Sequence, residues 1–287
     1  LHNKNTIFDI IEQNYLLSTK CNVNIKEVSE NFIDECMNKK SLDDQISIVS
    51  KGEFFTATIL NNFLQLNNIK SKFISSLDVI SSNQENINLY NKGEFIVNSN
   101  KILSSFESCD VIIVPGFSGR TPNNKCCLLG RGGSDTSGSI IAAAINASLY
   151  EIWTDVNGIY SSDPRKINNT FINEIVHYDA AQEVAAMGAK VIHPYCILPC
   201  AVLSIPIYIK NTFNPDGLST IICNKLNNTV YGVTIQDNVK VFKITSLNMW
   251  NNYGFVYDIF STFKDSNVDV NIINTSQFNI TTTTEES

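Results

Sequence analysis

The stretch 129–136 reads Leu-Gly-Arg-Gly-Gly-Ser-Asp-Thr and gathers groups that bind anions. Arg131 carries a planar, permanently charged fork suited to a carboxylate or a phosphate. Gly130, Gly132 and Gly133 let the backbone approach such a group closely. Ser134 or Asp135 is placed to cap the helix that follows, whose N-terminus favours an anion. A tight turn with a surface arginine would use the same residues, so this stretch alone leaves both readings open.

The flanking sequence supplies the elements that must position it. An apolar run at 111–115 precedes the stretch, and a run of small residues at 139–147 follows it. Strand, Gly-rich turn, helix is the implied order, and in an open α/β sheet such a turn lies at the carboxyl ends of the strands, where ligands bind. From residue 110 on, periodicity predicts strands at 111–114, 151–153 and 205–209 and helices at 134–147, 178–187 and 194–203. That alternation implies a mostly parallel sheet covered on both faces. Upstream, residues 1–45 show helical apolar spacing and predict two or three helices. A further helix is expected after Ser-Lys-Gly-Glu at 50–53, then strands at 69–74 and 95–97. A polar stretch at 224–229 divides the chain into segments 1–228 and 235–287. The second segment predicts a strand at 239–245, a helix at 253–263, and strands at 268–273 and 278–284.

Composition narrows the function classes. The chain has 287 residues, 43% of them hydrophobic, and a formal net charge of −7. Its mean hydropathy is −0.03, in the range of globular domains. Basic residues are scattered, so no nucleic-acid face is expected. No apolar run approaches the roughly 18 residues of a membrane span. Eight cysteines occur, without the paired spacing of a zinc knuckle. Cys196 and Cys200 are four apart, which places them on one helix face and suggests core packing. Low cysteine density fits a reducing compartment, with the cytoplasm expected, or a plastid stroma if a transit peptide lies upstream. The chain opens on Leu1 and is expected to be a fragment or a processed form.

Three further motifs follow the Gly-rich stretch. They are Glu-Ile-Trp-Thr-Asp-Val-Asn-Gly-Ile-Tyr-Ser-Ser-Asp-Pro-Arg at 151–165, Gly-Ala-Lys-Val-Ile-His-Pro at 188–194, and Lys-Asn-Thr-Phe-Asn-Pro at 210–215. In this order and near these spacings the series resembles the aspartate kinases of the amino-acid kinase superfamily, from about Ile46 to the C-terminus. The resemblance implies a three-layer αβα amino-acid kinase fold with a mostly parallel central sheet. The βαββ order after residue 235 resembles the first part of an ACT domain, a small-molecule sensor. The resemblance to aspartate kinases also implies transfer of the γ-phosphoryl of ATP, with Mg2+, to the side-chain carboxylate of L-aspartate.

Site residues follow from the same resemblance. Glu53 is placed against the substrate ammonium and Arg131 against its carboxylate, with Gly132, Gly133 and Ser134 contributing donors. Asp135 is expected to hold the loop together, and Phe117 to wall the pocket or join the core. Thr154, Asp155, Tyr160 and Arg165 resemble nucleotide contacts. Lys190 resembles the catalytic lysine that meets the phosphates, and Val191 supplies backbone near the base. The histidines are assigned no role, His193 being expected to be structural, and no protein metal site is expected. Met249, Gly254, Phe255, Val256 and Asp269 resemble effector contacts in lysine-sensitive relatives, which implies a lysine effector and a homodimer through ACT modules. Gln277 stands where those relatives commonly carry Glu.

One family feature has no match. Relatives begin with a strand running into a Lys-x-Gly-Gly phosphate turn, and residues 1–45 contain none. An incomplete N-terminus is the expected reason. Loss of catalysis, leaving an amino-acid-sensing regulatory subunit, is the alternative. A glutamate-directed kinase and the kinase half of a fusion with homoserine dehydrogenase are further alternatives. Lys190→Ala should lower turnover more than it weakens aspartate binding in steady-state kinetics, and the opposite pattern would move Lys190 away from the phosphates.

Overall fold

The computed structural model describes residues 4–26, 29–32, 41–84, 94–187, 191–225, 232–250 and 252–285. The chain divides into two compact units, Leu1–Val233 and Thr234–Ser287.

The first unit begins with helix α1 (Lys4–Lys20) and continues into the long α2 (Leu42–Leu66). Ser41 starts α2 through a capping box. Its hydroxyl accepts from the Asp44 backbone, and the Asp44 carboxylate accepts from the Ser41 N–H at 2.9 Å. This cap corrects the sequence expectation, which began a helix only after residues 50–53. Glu53 and Gly52 instead lie in the middle of one continuous helix. The opposite side of α2 buries Ile48, Phe55 and Ile59 against Val23, Ile25 and Phe32, with the Phe32 and Phe55 rings edge to face at 5.1 Å. Of the helices expected in residues 1–45, the positions of Val28, Ile33 and Cys36 lie outside the described residues.

Short strands and helices then alternate. They are β1 (Ser71–Phe73), α3 (Ser76–Val79), β2 (Ile80–Ser82), β3 (Phe95–Val97), α4 (Ser99–Ser105), β4 (Val111–Ile113), β5 (Ser118–Arg120), β6 (Cys126–Leu128) and α5 (Gly133–Ala144). The second half holds β7 (Tyr150–Thr154), β8 (Ile175–His177), α6 (Tyr178–Ala186), a 3-10 turn at Pro194–Cys196, α7 (Ile197–Val202), β9 (Ile207–Asn211) and β10 (Thr220–Cys223). Pro194 occupies the first turn of its helix, where the missing N–H costs nothing. The predicted helix at 194–203 is therefore a 3-10 turn running into α7.

Strands order as β3-β2-β5-β6, β1-β4 and β7-β9-β10-β8. Among the described residues of this unit four strand pairings are parallel (β1–β4, β2–β5, β7–β9, β8–β10) and three antiparallel (β2–β3, β5–β6, β9–β10). The antiparallel β5–β6 pair is a tight hairpin closed at Thr121–Lys125, with Asn124 at φ +60° supplying the left-handed turn residue.

Two apolar clusters meet at α5. Its Ile140, Ile141 and Ile145 pack against Ile74, Val79, Ile80 and Leu129, while Ala142 joins the cluster around β7, β9 and β10. Ile207, Ile209 and Ile222 are fully buried in the latter, each contributing about 1.5–3 kcal/mol. Cys196 and Cys200 lie in the same core, as their spacing suggested.

The second unit contains β11 (Val239–Thr245), a 3-10 turn at Leu247–Met249, α8 (Phe255–Asp265), β12 (Ile273–Thr275) and β13 (Asn279–Glu285), in the antiparallel order β11-β13-β12. Ile280 and Thr282 of β13 are buried, and Phe242 meets Phe263 of α8 edge to face at 5.5 Å. The strand expected at 268–273 begins later. Ahead of β12 the pairing is irregular: Asn271 N–H donates to the Thr283 carbonyl, and Ile272 N–H to the Thr283 hydroxyl.

Gly138 of α5 touches the Tyr150 ring so closely that a Cβ there would lie 2.5 Å from the phenol oxygen. Alanine usually stabilises a helix interior by up to about 1 kcal/mol relative to glycine. Gly138→Ala should instead destabilise by about 1–3 kcal/mol through overpacking, read from urea denaturation.

Candidate active site

Three segments build one open pocket of about 530 Å3. The middle of α2 contributes Gly52 and Glu53, the turn after β4 contributes Phe117, and the turn after β6 with the first turn of α5 contributes residues 130–135. The sequence pattern ran the 111–115 strand straight into the Gly-rich turn; instead the β5–β6 hairpin intervenes, and the turn leaves the antiparallel strand β6. The structure therefore brings Glu53, Arg131, Gly132, Gly133 and Ser134 together.

Glu53 is the joint between these segments. Its Oε2 accepts the Gly116 N–H at 2.8 Å, and its Oε1 accepts the Ser134 hydroxyl. Phe117 follows Gly116 with φ +67°, a left-handed conformation that is rare and strained for a bulky residue. It is held there from both sides. Its N–H donates to the Ser137 hydroxyl at 2.8 Å, and its carbonyl accepts from Leu129 N–H at 2.9 Å. Gly133 is buried under the Phe117 ring, where a Cβ would stand 2.7 Å from Cδ2.

The helix start differs from the expected cap. α5 begins at Gly133, with Gly132 as its N-cap at φ +65° and no side-chain cap bond. Ser134 and Asp135 both fall inside the first turn, because the left-handed Gly132 turns the chain into the helix before either is reached. Ser134 is consequently available to Glu53. Asp135 holds the loop, as expected. The backbone N–H of His193 lies close enough to the Asp135 carboxylate to favour the charged form. Burial pushes the Asp135 carboxyl up, opposed by that N–H and by the His193 ring, and Glu53 adds to the rise.

Sequence reasoning set His193 aside as structural, and it lies directly beneath the loop. A side chain on Gly132 would overlap its imidazole. Burial pulls the His193 pKa down, Asp135 opposes this, and Arg131 reinforces it. Tyr150 also supports the loop by donating its hydroxyl to the Asp135 carbonyl at 2.9 Å. Neither contact has a local sequence signal, since both partners arrive from distant elements.

The second group of candidates sits at the carboxyl ends of β7 and β9. Thr154 ends β7, and its hydroxyl donates to the exposed Asp155 at 3.2 Å. The Tyr160 hydroxyl accepts from Asn157 Nδ2 at 3.2 Å, and Asn157 Oδ1 accepts from Asn211 Nδ2 at 2.7 Å. Arg165 is exposed and pairs with Asp163 at 3.0 Å, so Asp163 shapes the turn and also orients the guanidinium. Val191 packs against the core cluster of this half. Lys190 lies outside the described residues.

The sequence pattern of the amino acid kinase family matches residues 12–211. The chain belongs to that family. Among relatives of this family member, the bifunctional aspartokinase/homoserine dehydrogenase of Buchnera aphidicola is 32% identical over 263 residues, covering 88% of this chain and 32% of that protein. Lysine-sensitive aspartokinase 3 of Escherichia coli is 30% identical over 244 residues, covering 82% of this chain and 53% of that protein. The chain thus spans about a third to about half the length of these relatives. The amino acid kinase fold is shared with E. coli aspartokinase III in its R-state complex with aspartate and ADP. That match has a TM-score of 0.78 at 27% identity and covers 92% of this chain and 60% of that one. The T-state of the same enzyme, in complex with lysine and aspartate, matches with a TM-score of 0.72 at 27% identity, over 91% of this chain and 60% of that one. No described helix is long and apolar enough to cross a membrane.

In the second unit Met249 closes a 3-10 turn capped by the Ser246 hydroxyl. Gly254, at φ +87°, is the N-cap of α8, and Phe255 and Val256 form its first turn. Asp269 is exposed in the segment between α8 and β12.

The Glu53–Ser134 contact is a charge-assisted bond between segments far apart in sequence. A double-mutant cycle of Glu53→Gln and Ser134→Ala in urea denaturation should show a coupling of about 1 kcal/mol. A coupling near zero would separate the two side chains.

Proposed function

We propose that this chain is the catalytic part of an aspartate kinase, joined to a partial ACT module that begins near residue 235. The observation that carries this reading is the single pocket in which Glu53 faces the backbone and guanidinium donors of the Gly-rich turn. An amino acid with a second carboxylate presents the charges that such a pocket complements. Arg131 would take a carboxylate as a fork, and Glu53 would take the ammonium, exchanging its present bond from the Ser134 hydroxyl for one from the substrate.

Phosphoryl transfer asks the protein mainly for positioning and charge neutralisation. Thr154, Asp155, Tyr160 and Arg165 would hold the nucleotide at the carboxyl ends of β7 and β9, and Lys190 with Val191 would meet its phosphates and base. Among the described residues no three acidic, histidine or cysteine side chains gather to hold an ion. Magnesium would be carried in by the triphosphate, since Mg2+ keeps several waters and takes one or two carboxylates besides phosphate oxygens. When bound it would neutralise charge building on the transferred group. The T-state complex of E. coli aspartokinase III with lysine and aspartate supports lysine as effector here. Met249, Gly254, Phe255, Val256 and Asp269 would contact it, in a homodimer through the ACT modules. The setting proposed is the cytoplasm or a plastid stroma.

The deciding experiment is ATP-dependent hydroxamate formation, in which hydroxylamine traps the acyl phosphate, with aspartate and glutamate compared. Signal with aspartate alone is expected, and signal with glutamate alone would replace the substrate. Arg131→Ala should raise the KM for aspartate about 10- to 100-fold, the range of a lost hydrogen bond to a charged group. An unchanged KM would remove Arg131 from the site.

A further inference from the structure

Residues 155–174, between β7 and β8, form no helix or strand. Structureless connections of that length are uncommon in compact domains and are usually functional. This one is pinched at a neck between Ile159 and Asn173. Asn173 N–H donates to the Ile159 carbonyl at 2.9 Å, one half of an antiparallel backbone pair. The other half is replaced. Ile159 N–H donates to the Thr220 hydroxyl at 2.8 Å, and that hydroxyl donates to the Asn173 carbonyl at 2.7 Å. A side chain of β10 is thus inserted into the ladder that closes the loop. Thr220 is fully buried, and Gly158, packed on it, has no room for a Cβ.

Beyond the neck the ladder continues. Tyr160 bridges Ile172, and Ser161 N–H donates to the Phe171 carbonyl at 2.8 Å. This limb carries Tyr160 and Arg165. A second tether comes from the end of β9. Asn211 fixes Asn157, as described, while its own Oδ1 accepts from Phe213 N–H at 2.9 Å, so its amide orientation is set. Asn157 in turn fixes the Tyr160 hydroxyl. Both tethers originate in one sheet, Thr220 in β10 and Asn211 at the end of β9, and both end on the limb proposed to hold ATP.

We infer that Thr220 and Asn211 are positioning residues for nucleotide binding: they fix the 155–174 loop so that Tyr160 and Arg165 stand ready before the nucleotide arrives. The inference rests on the kinase reading above. A loop held in its binding conformation avoids the cost of ordering on binding. Losing the inserted hydroxyl takes from the buried Ile159 N–H its acceptor, or lets the neck close and the limb shift.

The test is calorimetric titration of the full chain with MgADP and, separately, with aspartate. Thr220→Val should weaken MgADP binding about tenfold, roughly one lost buried bond, and leave aspartate affinity unchanged. Thr220→Ser, which keeps the hydroxyl, should restore it. Asn211→Ala should weaken MgADP binding about threefold without touching the core. Unchanged MgADP affinity in folded Thr220→Val, or equal losses for both ligands, overturns the inference while the kinase reading stands. If Thr220→Val does not fold, Asn211→Ala decides, and unchanged MgADP affinity there overturns it. Absence of MgADP binding by the unaltered chain overturns the kinase reading and this inference with it.

Discussion

The candidate site depends on one carboxylate. Glu53 stands in the middle of a long helix and binds two segments that reach it from other parts of the sheet, through the Gly116 N–H and the Ser134 hydroxyl. A half-buried carboxylate needs such donors, because an unpaired charge away from water is costly. The same need makes it a ready acceptor for an ammonium. Around this joint, neighbouring residues accept unusual conformations. Phe117 is held left-handed between Ser137 and Leu129, and Gly132 turns the chain directly into α5.

The two halves of the first unit supply different kinds of support. The candidate pocket is assembled from three segments and closed by polar contacts between them. The 155–174 loop is hung from a single core, where fully buried isoleucines of β9 and β10 keep Asn211 and Thr220 in register. α5 joins the halves, with apolar residues in both clusters. Its position also brings the Tyr150 hydroxyl to the Asp135 carbonyl, which links β7 to the Gly-rich turn.

Much of this was legible in the sequence, for identifiable reasons. The Gly-rich turn announced itself because glycine, arginine and serine occur together between a strand pattern and a helix pattern. β4, β7, β9, α5, α6 and α7 fell within a few residues of their periodicity. The start of α2 was misplaced because its Ser41–Asp44 cap lies upstream of the Ser-Lys-Gly-Glu stretch, through which the helix runs. β12 was placed too early because Val268 and Val270 look like strand residues, while the pairing with β13 becomes regular only at Ile273. The supports of the site were invisible for another reason. His193 under Gly132, Thr220 under the loop neck and Gly116 on Glu53 are contacts between residues separated by 60 or more positions. No local pattern carries such a contact.

The glycines of the pocket differ in how much change they tolerate. Gly132 and Gly133 are sealed by His193 and Phe117, and any side chain there collides. Gly52 also lines the pocket, but a Cβ added to it would meet no atom within 4 Å. It lies on a helix that would accept almost any other residue more readily. The floor of this pocket is therefore closed to evolutionary drift while its rim is open at one position. A lineage could narrow the pocket, or add a charge to it, in a single substitution at Gly52 without refolding the Gly-rich turn.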